Sequence, residues 1–91
     1  MLPGVAAIDT NKIAILGGSG NKGVIIYDAE QETAEEVATA DVAINCYSEP
    51  KVDASNGDVY ALVNMSGHKI LKFSYNDGNK ISFINELTNT E

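Results

Sequence analysis

Short apolar runs separated by polar turns make up most of the chain, and the runs are too short for helices of ordinary length. Alternating apolar positions and β-branched residues predict strands at Val5–Ile8, Lys12–Leu16, Gly23–Asp28, Asp58–Val63, Lys69–Tyr75 and Lys80–Leu87. Glycine, asparagine and aspartate fill the segments between these runs, which predicts tight turns. The pattern therefore predicts an all-β fold built from antiparallel hairpins.

The segment Ala29–Ala40 fits two structures. Its alanine and glutamate content favours a helix. However, Val37 is its only apolar residue larger than alanine, so a helix here would have no stripe to bury. A strand preceded by a turn at Ala29–Glu32 is the other interpretation.

An internal repeat decides between the two. Shifting the sequence by 46 residues aligns its halves without a gap, and Thr33–Ala38 then falls on the predicted strand Asn79–Ile84. The matched positions include Ile13 with Val59, Leu16 with Leu62, Val24 with Ile70, Ile25 with Leu71, Tyr27 with Phe73 and Val37 with Phe83. The repeat therefore predicts a strand at Thr33–Ala38 and a turn before it.

Each half then has the length and strand content of one β-propeller blade, since such repeats run to about 40–50 residues. We expect two units, 1–45 and 46–91, each an antiparallel four-stranded blade of a partial β-propeller.

The first half resembles the Kelch-repeat family. A strand at Ile13–Leu16 runs into Gly17 and Gly18, and the next strand closes with Tyr27 and Asp28 before a polar turn. The second half keeps only the strand skeleton, and the chain lacks the Trp that the family usually places after the Tyr-Asp turn. The resemblance implies a propeller, a cytoplasmic and in some cases cytoskeleton-associated location, and a role as a protein-binding platform.

Two blades are fewer than a propeller needs, because closed propellers have roughly four to eight. We therefore expect the chain to be part of a larger propeller, with other protein chains or further blades as its partners. Association of several copies into a homo-oligomer is the alternative.

Charge and composition narrow the function classes. Thirteen acidic residues against six lysines, with no arginine, give a net charge of −7. Nucleic acid and anionic membranes both require clustered basic residues, so neither is expected as a partner. Cys46 is the only cysteine and no apolar run approaches about 20 residues, which favours an intracellular, non-membrane protein.

Gly18, Gly20 and Gly23 form a G-x-G-x-x-G pattern after an apolar run, which is the form of a dinucleotide-binding turn. Such a turn requires a helix after the last glycine, whereas Val24–Tyr27 favours a strand. We therefore expect a turn between two strands and no cofactor. A nucleotide-binding enzyme fragment is kept as the weaker alternative.

No residue combination predicts catalysis or metal binding. His68 is the only histidine, and neither it nor Cys46 has a sequence partner for metal or nucleophile chemistry. We expect a non-enzymatic interaction module, or alternatively a structural component of a cytoskeletal or other large complex that is stable only with its partners. The candidate partner surface consists of Glu30, Glu32, Glu35, Glu36, Tyr60 and Tyr75.

Overall fold

The computed structural model describes residues 3–84, which form nine strands and no helix. The strands are β1 (Gly4–Asp9), β2 (Lys12–Leu16), β3 (Gly23–Asp28), β4 (Thr33–Thr39), β5 (Asn45–Cys46), β6 (Lys51–Asp53), β7 (Asp58–Asn64), β8 (His68–Ser74) and β9 (Lys80–Ile84). Within this range no helix is available that could cross a membrane. The predicted all-β class is confirmed.

The strands form two antiparallel sheets. Sheet 1 has the order β1-β2-β3-β4, and sheet 2 has the order β5-β7-β8-β9 with β6 also paired to β7. β5 pairs with the end of β7 at Val63–Asn64 and β6 pairs with its start at Asp58–Tyr60. Because β8 occupies the other edge of β7, β5 and β6 are two halves of one interrupted edge strand.

The two sheets repeat the same pairing 46 residues apart in their central strands. Lys12 pairs with Asp28 in sheet 1 as Asp58 pairs with Ser74 in sheet 2. Leu16 pairs with Val24 as Leu62 pairs with Ile70. The central hairpins of the two sheets are therefore equivalent at the predicted offset.

The outer strands depart from a gap-free alignment. Glu36 pairs with Ile25, whereas Phe83 pairs with Leu71, so the offset here is 83 − 36 = 47. The extra residue lies in the turn before β9, which runs from 75 to 79, against 29 to 32 before β4. The pairing of β4 shifts register next to Val37, so matching Val37 with Phe83 was wrong and Glu36 takes that place.

The turn at Ala29–Glu32 and the strand that follows it are confirmed. β4 begins at Thr33, directly after the turn, and every one of its residues except Val37 pairs with β3. Glu32 adopts a positive φ of 57°, a conformation that helices do not contain. Pairing with β3 thus outweighs the helix propensity of the alanine- and glutamate-rich segment.

The core lies between the two sheets, which pack face to face. The inner face of sheet 1 contributes Ala6, Ala14, Leu16, Val24 and Ile26, and sheet 2 contributes Cys46, Val59, Ala61, Val63, Leu71 and Phe73. β1 lies against β6 and β7, and β4 lies against β9. In the order of sheet 2, β6 is the equivalent of β1 and β9 is the equivalent of β4. The two sheets therefore stack with equivalent strands next to each other.

Candidate functional site

The glycine pair Gly17-Gly18 closes the turn between β2 and β3 and joins the two sheets. Both glycines are buried and have positive φ values, of 67° and 94°. The Gly17 N–H donates to the Gly23 carbonyl at 3.0 Å, and the Gly18 N–H donates to the Ile44 carbonyl at 3.3 Å. The pair therefore fixes the segment that leads from sheet 1 into sheet 2.

The dinucleotide interpretation of the glycines does not fit this geometry. A pyrophosphate site requires the N-terminus of a helix after the last glycine, and β3 begins at Gly23 instead. The N–H groups of the glycine pair already donate to protein carbonyls. The expectation of a turn between two strands is confirmed.

Asp28, at the end of β3, organises the following turn. Its Oδ1 accepts hydrogen bonds from the N–H groups of Glu30 at 2.9 Å and Gln31 at 3.0 Å, and Lys12 Nζ lies 3.6 Å from Oδ2. The Gln31 bond contributes most to lowering the pKa of Asp28; desolvation opposes it, and the Glu30 bond and the Lys12 charge assist it. Tyr27, next to it, lies half-buried on the opposite face of the strand.

The predicted acidic residues do not form one patch. Glu30 and Glu32 are exposed in the turn between β3 and β4. Glu35 and Glu36 are successive residues of β4, so their side chains project from opposite faces of sheet 1. Glu36 Oε2 accepts a hydrogen bond from Thr39 Oγ1 at 2.6 Å. Within residues 3–84, no three acidic, histidine or cysteine side chains are grouped to hold a metal ion.

Tyr60 and Tyr75 occupy different environments. Tyr60 pairs with Lys72 and lies half-buried on the face of sheet 2 that points away from the core. Tyr75 lies in the turn before β9 and packs against the core. With Lys12, Ile26 and Asn79 it lines a cleft of about 200 Å³ between the sheets. Of the two tyrosines, only Tyr60 lies on a face available to a partner.

Each sheet has a second, outer face that points away from the core and carries apolar side chains. The outer face of sheet 1 comprises Val5, Ile13, Ile15, Ile25 and Tyr27, and that of sheet 2 comprises Tyr47, Tyr60, Leu62, Ile70 and Ile84. The exposed fraction is 45% for Val5, 42% for Tyr47, 47% for Leu62 and 37% for Ile84. Contiguous exposed apolar surface of this kind marks interaction sites.

A stacked pair of rings at the outer face of sheet 2 was not predicted. Tyr47 and His68 lie with their ring centroids 5.1 Å apart at 8°, and Tyr47 Oη is 3.1 Å from His68 Nε2. The residues are 21 positions apart and belong to no sequence motif, so only the pairing of β5 and β8 with β7 brings them together. They extend the aromatic part of this outer face.

Cys46 points to the inner face, away from His68. Its side chain is buried, and this burial raises the pKa of the thiol, an effect that a backbone hydrogen bond with Gly4 opposes. A raised pKa leaves little thiolate, which is the reactive form. The arrangement therefore lacks the thiol–imidazole contact that a cysteine nucleophile requires.

We expect Cys46 to react with 5,5′-dithiobis(2-nitrobenzoate) at pH 8 at least about 100-fold more slowly in the folded chain than in urea, because reaction requires local opening. The matched control is the C46S/S19C double variant, which places the only thiol in an exposed loop. Equal rates for the two folded proteins would contradict the buried placement.

Comparison of the chain with protein-family models, with curated proteins and with solved structures finds no match. A proposal for the function of the chain therefore rests on the structure itself, and in residues 3–84 it rests on the two outer faces.

Proposed function

We propose that the chain is a non-catalytic protein–protein interaction module, a Kelch-type propeller segment within a larger assembly. The observation that carries the proposal is the pair of outer faces. Leu62 and Val5, on opposite sides of the stacked sheets, expose almost half of their surface. Because the rest of each side chain is already covered, a partner that buries the exposed half contributes roughly 0.7–1.5 kcal/mol per residue, so both faces favour association.

The way in which the sheets stack supports the propeller part of the proposal. Blades of a propeller are successive copies of one unit around a central channel, so each blade meets its neighbour with equivalent strands side by side. The contacts of β1 with β6 and of β4 with β9 follow this arrangement. The Kelch resemblance depends on Gly17-Gly18 and Tyr27-Asp28. In the structure, the Gly18 N–H donates to the Ile44 carbonyl in the segment between the sheets, and Asp28 accepts a hydrogen bond from Gln31 in the turn after β3.

The proposal is tested by placing a charge on each outer face. A tagged chain is purified from its source cells in three forms: wild type, I15K on sheet 1, and L62K on sheet 2. We expect partner chains in a fixed ratio with the wild type and their loss from at least one face variant, because an apolar interface cannot solvate an ammonium group.

The matched control is T10K, which adds the same charge in the exposed turn between β1 and β2. Circular dichroism must show all forms to be folded. Retention of the same partners in the same ratio by both face variants would contradict the proposal.

A further inference from the structure

The interface between the two sheets is heterologous, meaning that it joins two different faces. The buried positions of sheet 1 are Ala14, Leu16, Val24 and Ile26, and adding 46 to each gives Tyr60, Leu62, Ile70 and Lys72, all on the outer face of sheet 2. Conversely, subtracting 46 from the buried Val59, Ala61, Leu71 and Phe73 gives Ile13, Ile15, Ile25 and Tyr27, all on the outer face of sheet 1. The two outer faces are thus the same two surfaces that meet in the core.

We propose that these outer faces bind each other between copies of this chain, head to tail, with the outer face of sheet 2 on one copy covering the outer face of sheet 1 on the next. The inference rests on the proposed function and names its partner as a second copy. A heterologous contact of this type closes into a ring or continues as an open stack. Rings of two to four copies would have roughly four to eight blades, the number found in closed propellers.

The outer face of sheet 1 is apolar at Ile13, Ile15, Ile25 and Tyr27, the positions equivalent to buried apolar residues of β7 and β8. The outer face of sheet 2 matches the buried face of sheet 1 at Leu62 and Ile70 and differs from it at Tyr60 and Lys72. In the core, Leu16 and Val24 of sheet 1 lie fully buried in the same cluster as Leu71 and Phe73 of sheet 2. Between copies, Leu62 and Ile70 take the places of the first pair, and Ile25 and Tyr27 those of the second. Both interfaces therefore combine aliphatic residues of one face with an aliphatic and an aromatic residue of the other.

Charges at one end of the faces are also complementary. Within the chain, the turn at 75–79 of sheet 2 lines the cleft against Lys12, Ile26 and Thr33 of sheet 1. In a contact between copies, the acidic turn Ala29–Glu32 of sheet 1 on one copy takes the place of the turn at 75–79. Asp58, Lys72 and Lys80 of sheet 2 on the other copy take the places of Lys12, Ile26 and Thr33. Asp58 forms an ion pair with Lys72 at 3.6 Å, and Lys80 is exposed. Tyr75 and Asn79 are the residues of the turn that line the cleft, and Glu32 is the equivalent of Asn79. Glu32 therefore faces a net positive group, and Glu30 lies in the same turn.

The direct test is the oligomeric state of I15K and L62K, alone and mixed, by light scattering coupled to gel filtration. We expect the wild type to give masses of two to four copies and each variant alone to associate about 100-fold more weakly. Mixed, the variants are expected to form a one-to-one complex, because I15K retains the outer face of sheet 2 and L62K retains that of sheet 1.

Other outcomes overturn the inference. A wild type that stays monomeric up to millimolar concentration would exclude a second copy as the occupant, while the partner test of the same variants still decides the proposed function. A variant that forms dimers alone would indicate like faces in contact. A mixture without a complex would exclude the head-to-tail arrangement.

The charge part is tested by reversal. We expect the E30K/E32K variant to associate about tenfold more weakly and the E30K/E32K/K80E variant to regain the wild-type association, because K80E inverts the net charge of the group formed by Asp58, Lys72 and Lys80 and leaves the Asp58–Lys72 ion pair intact. D41K/E49K, which makes the same change in net charge at two exposed positions outside the strands, is the control for charge alone. Equal association of E30K/E32K and D41K/E49K, or no recovery in the triple variant, would overturn the placement of the acidic turn.

Discussion

At concentrations at which the chain is monomeric, the L16A variant is expected to lose about 2–5 kcal/mol of its free energy of unfolding, whereas L62A loses about 0.5–1.5 kcal/mol. The two leucines are equivalent positions of the two sheets, 46 residues apart. Leu16 is fully buried between the sheets, while Leu62 is 47% exposed on an outer face. Truncating Leu16 removes buried surface and leaves a cavity, whereas truncating Leu62 loses only the burial of the covered half of an outer-face side chain and leaves no enclosed cavity.

Urea denaturation followed by far-ultraviolet circular dichroism measures both values. The stability of a domain of this size is roughly 5–14 kcal/mol, so L16A approaches the limit of folding. Equal losses in the two variants would show that the sheets do not stack through the face that carries Leu16. An additional loss of stability in L62A that appears only at high protein concentration would instead report the contact between copies.

The second large effect is a loss of free energy of unfolding in the G17A variant. A Cβ atom at Gly17 would lie 2.7 Å from Ile44 Cβ and 2.9 Å from its carbonyl carbon, and the backbone φ of 67° disfavours any L side chain. We expect strain of about 1–2 kcal/mol from the backbone and a further loss of about 1–3 kcal/mol from the clash.

G20A separates these two contributions. Gly20 also has a positive φ, of 81°, but no atom lies within 4 Å of a Cβ placed there. G20A should therefore lose only the backbone part, about 1–2 kcal/mol. The same denaturation experiment applies, and equal losses in G17A and G20A would contradict the close contact between the glycine turn and Ile44.

Much of the fold could be predicted from the sequence. Successive side chains of a strand point to opposite faces of the sheet, so short runs of apolar and β-branched residues between turns indicate strands. The central strands β2, β3, β7 and β8 were predicted within two residues of their bounds, and the repeat correctly replaced the helix interpretation of Ala29–Ala40 with a turn and a strand. The interruption between β5 and β6 was not predicted. It depends on the pairing of both segments with β7, which local sequence does not encode.

The candidate site was predicted less well than the fold. The glycine turn was correctly interpreted, since β-branched residues after Gly23 exclude a helix there. The acidic residues were treated as one cluster, yet strand alternation separates Glu35 from Glu36. The contact of Tyr47 with His68 left no trace in the sequence because it is a product of tertiary pairing.

The interruption between β5 and β6 has a consequence for aggregation. An unbroken edge strand offers a row of free N–H and C=O groups to which a foreign strand can add. At this edge of sheet 2 the row is divided between two strands of two and three residues, and Pro50, just before β6, has no N–H to donate. β1, with six consecutive residues, is the more open edge. The chain thus resists the addition of a foreign strand at the edge formed by β5 and β6, whereas within residues 3–84 β1, β4 and β9 remain edge strands at which fibrils can grow.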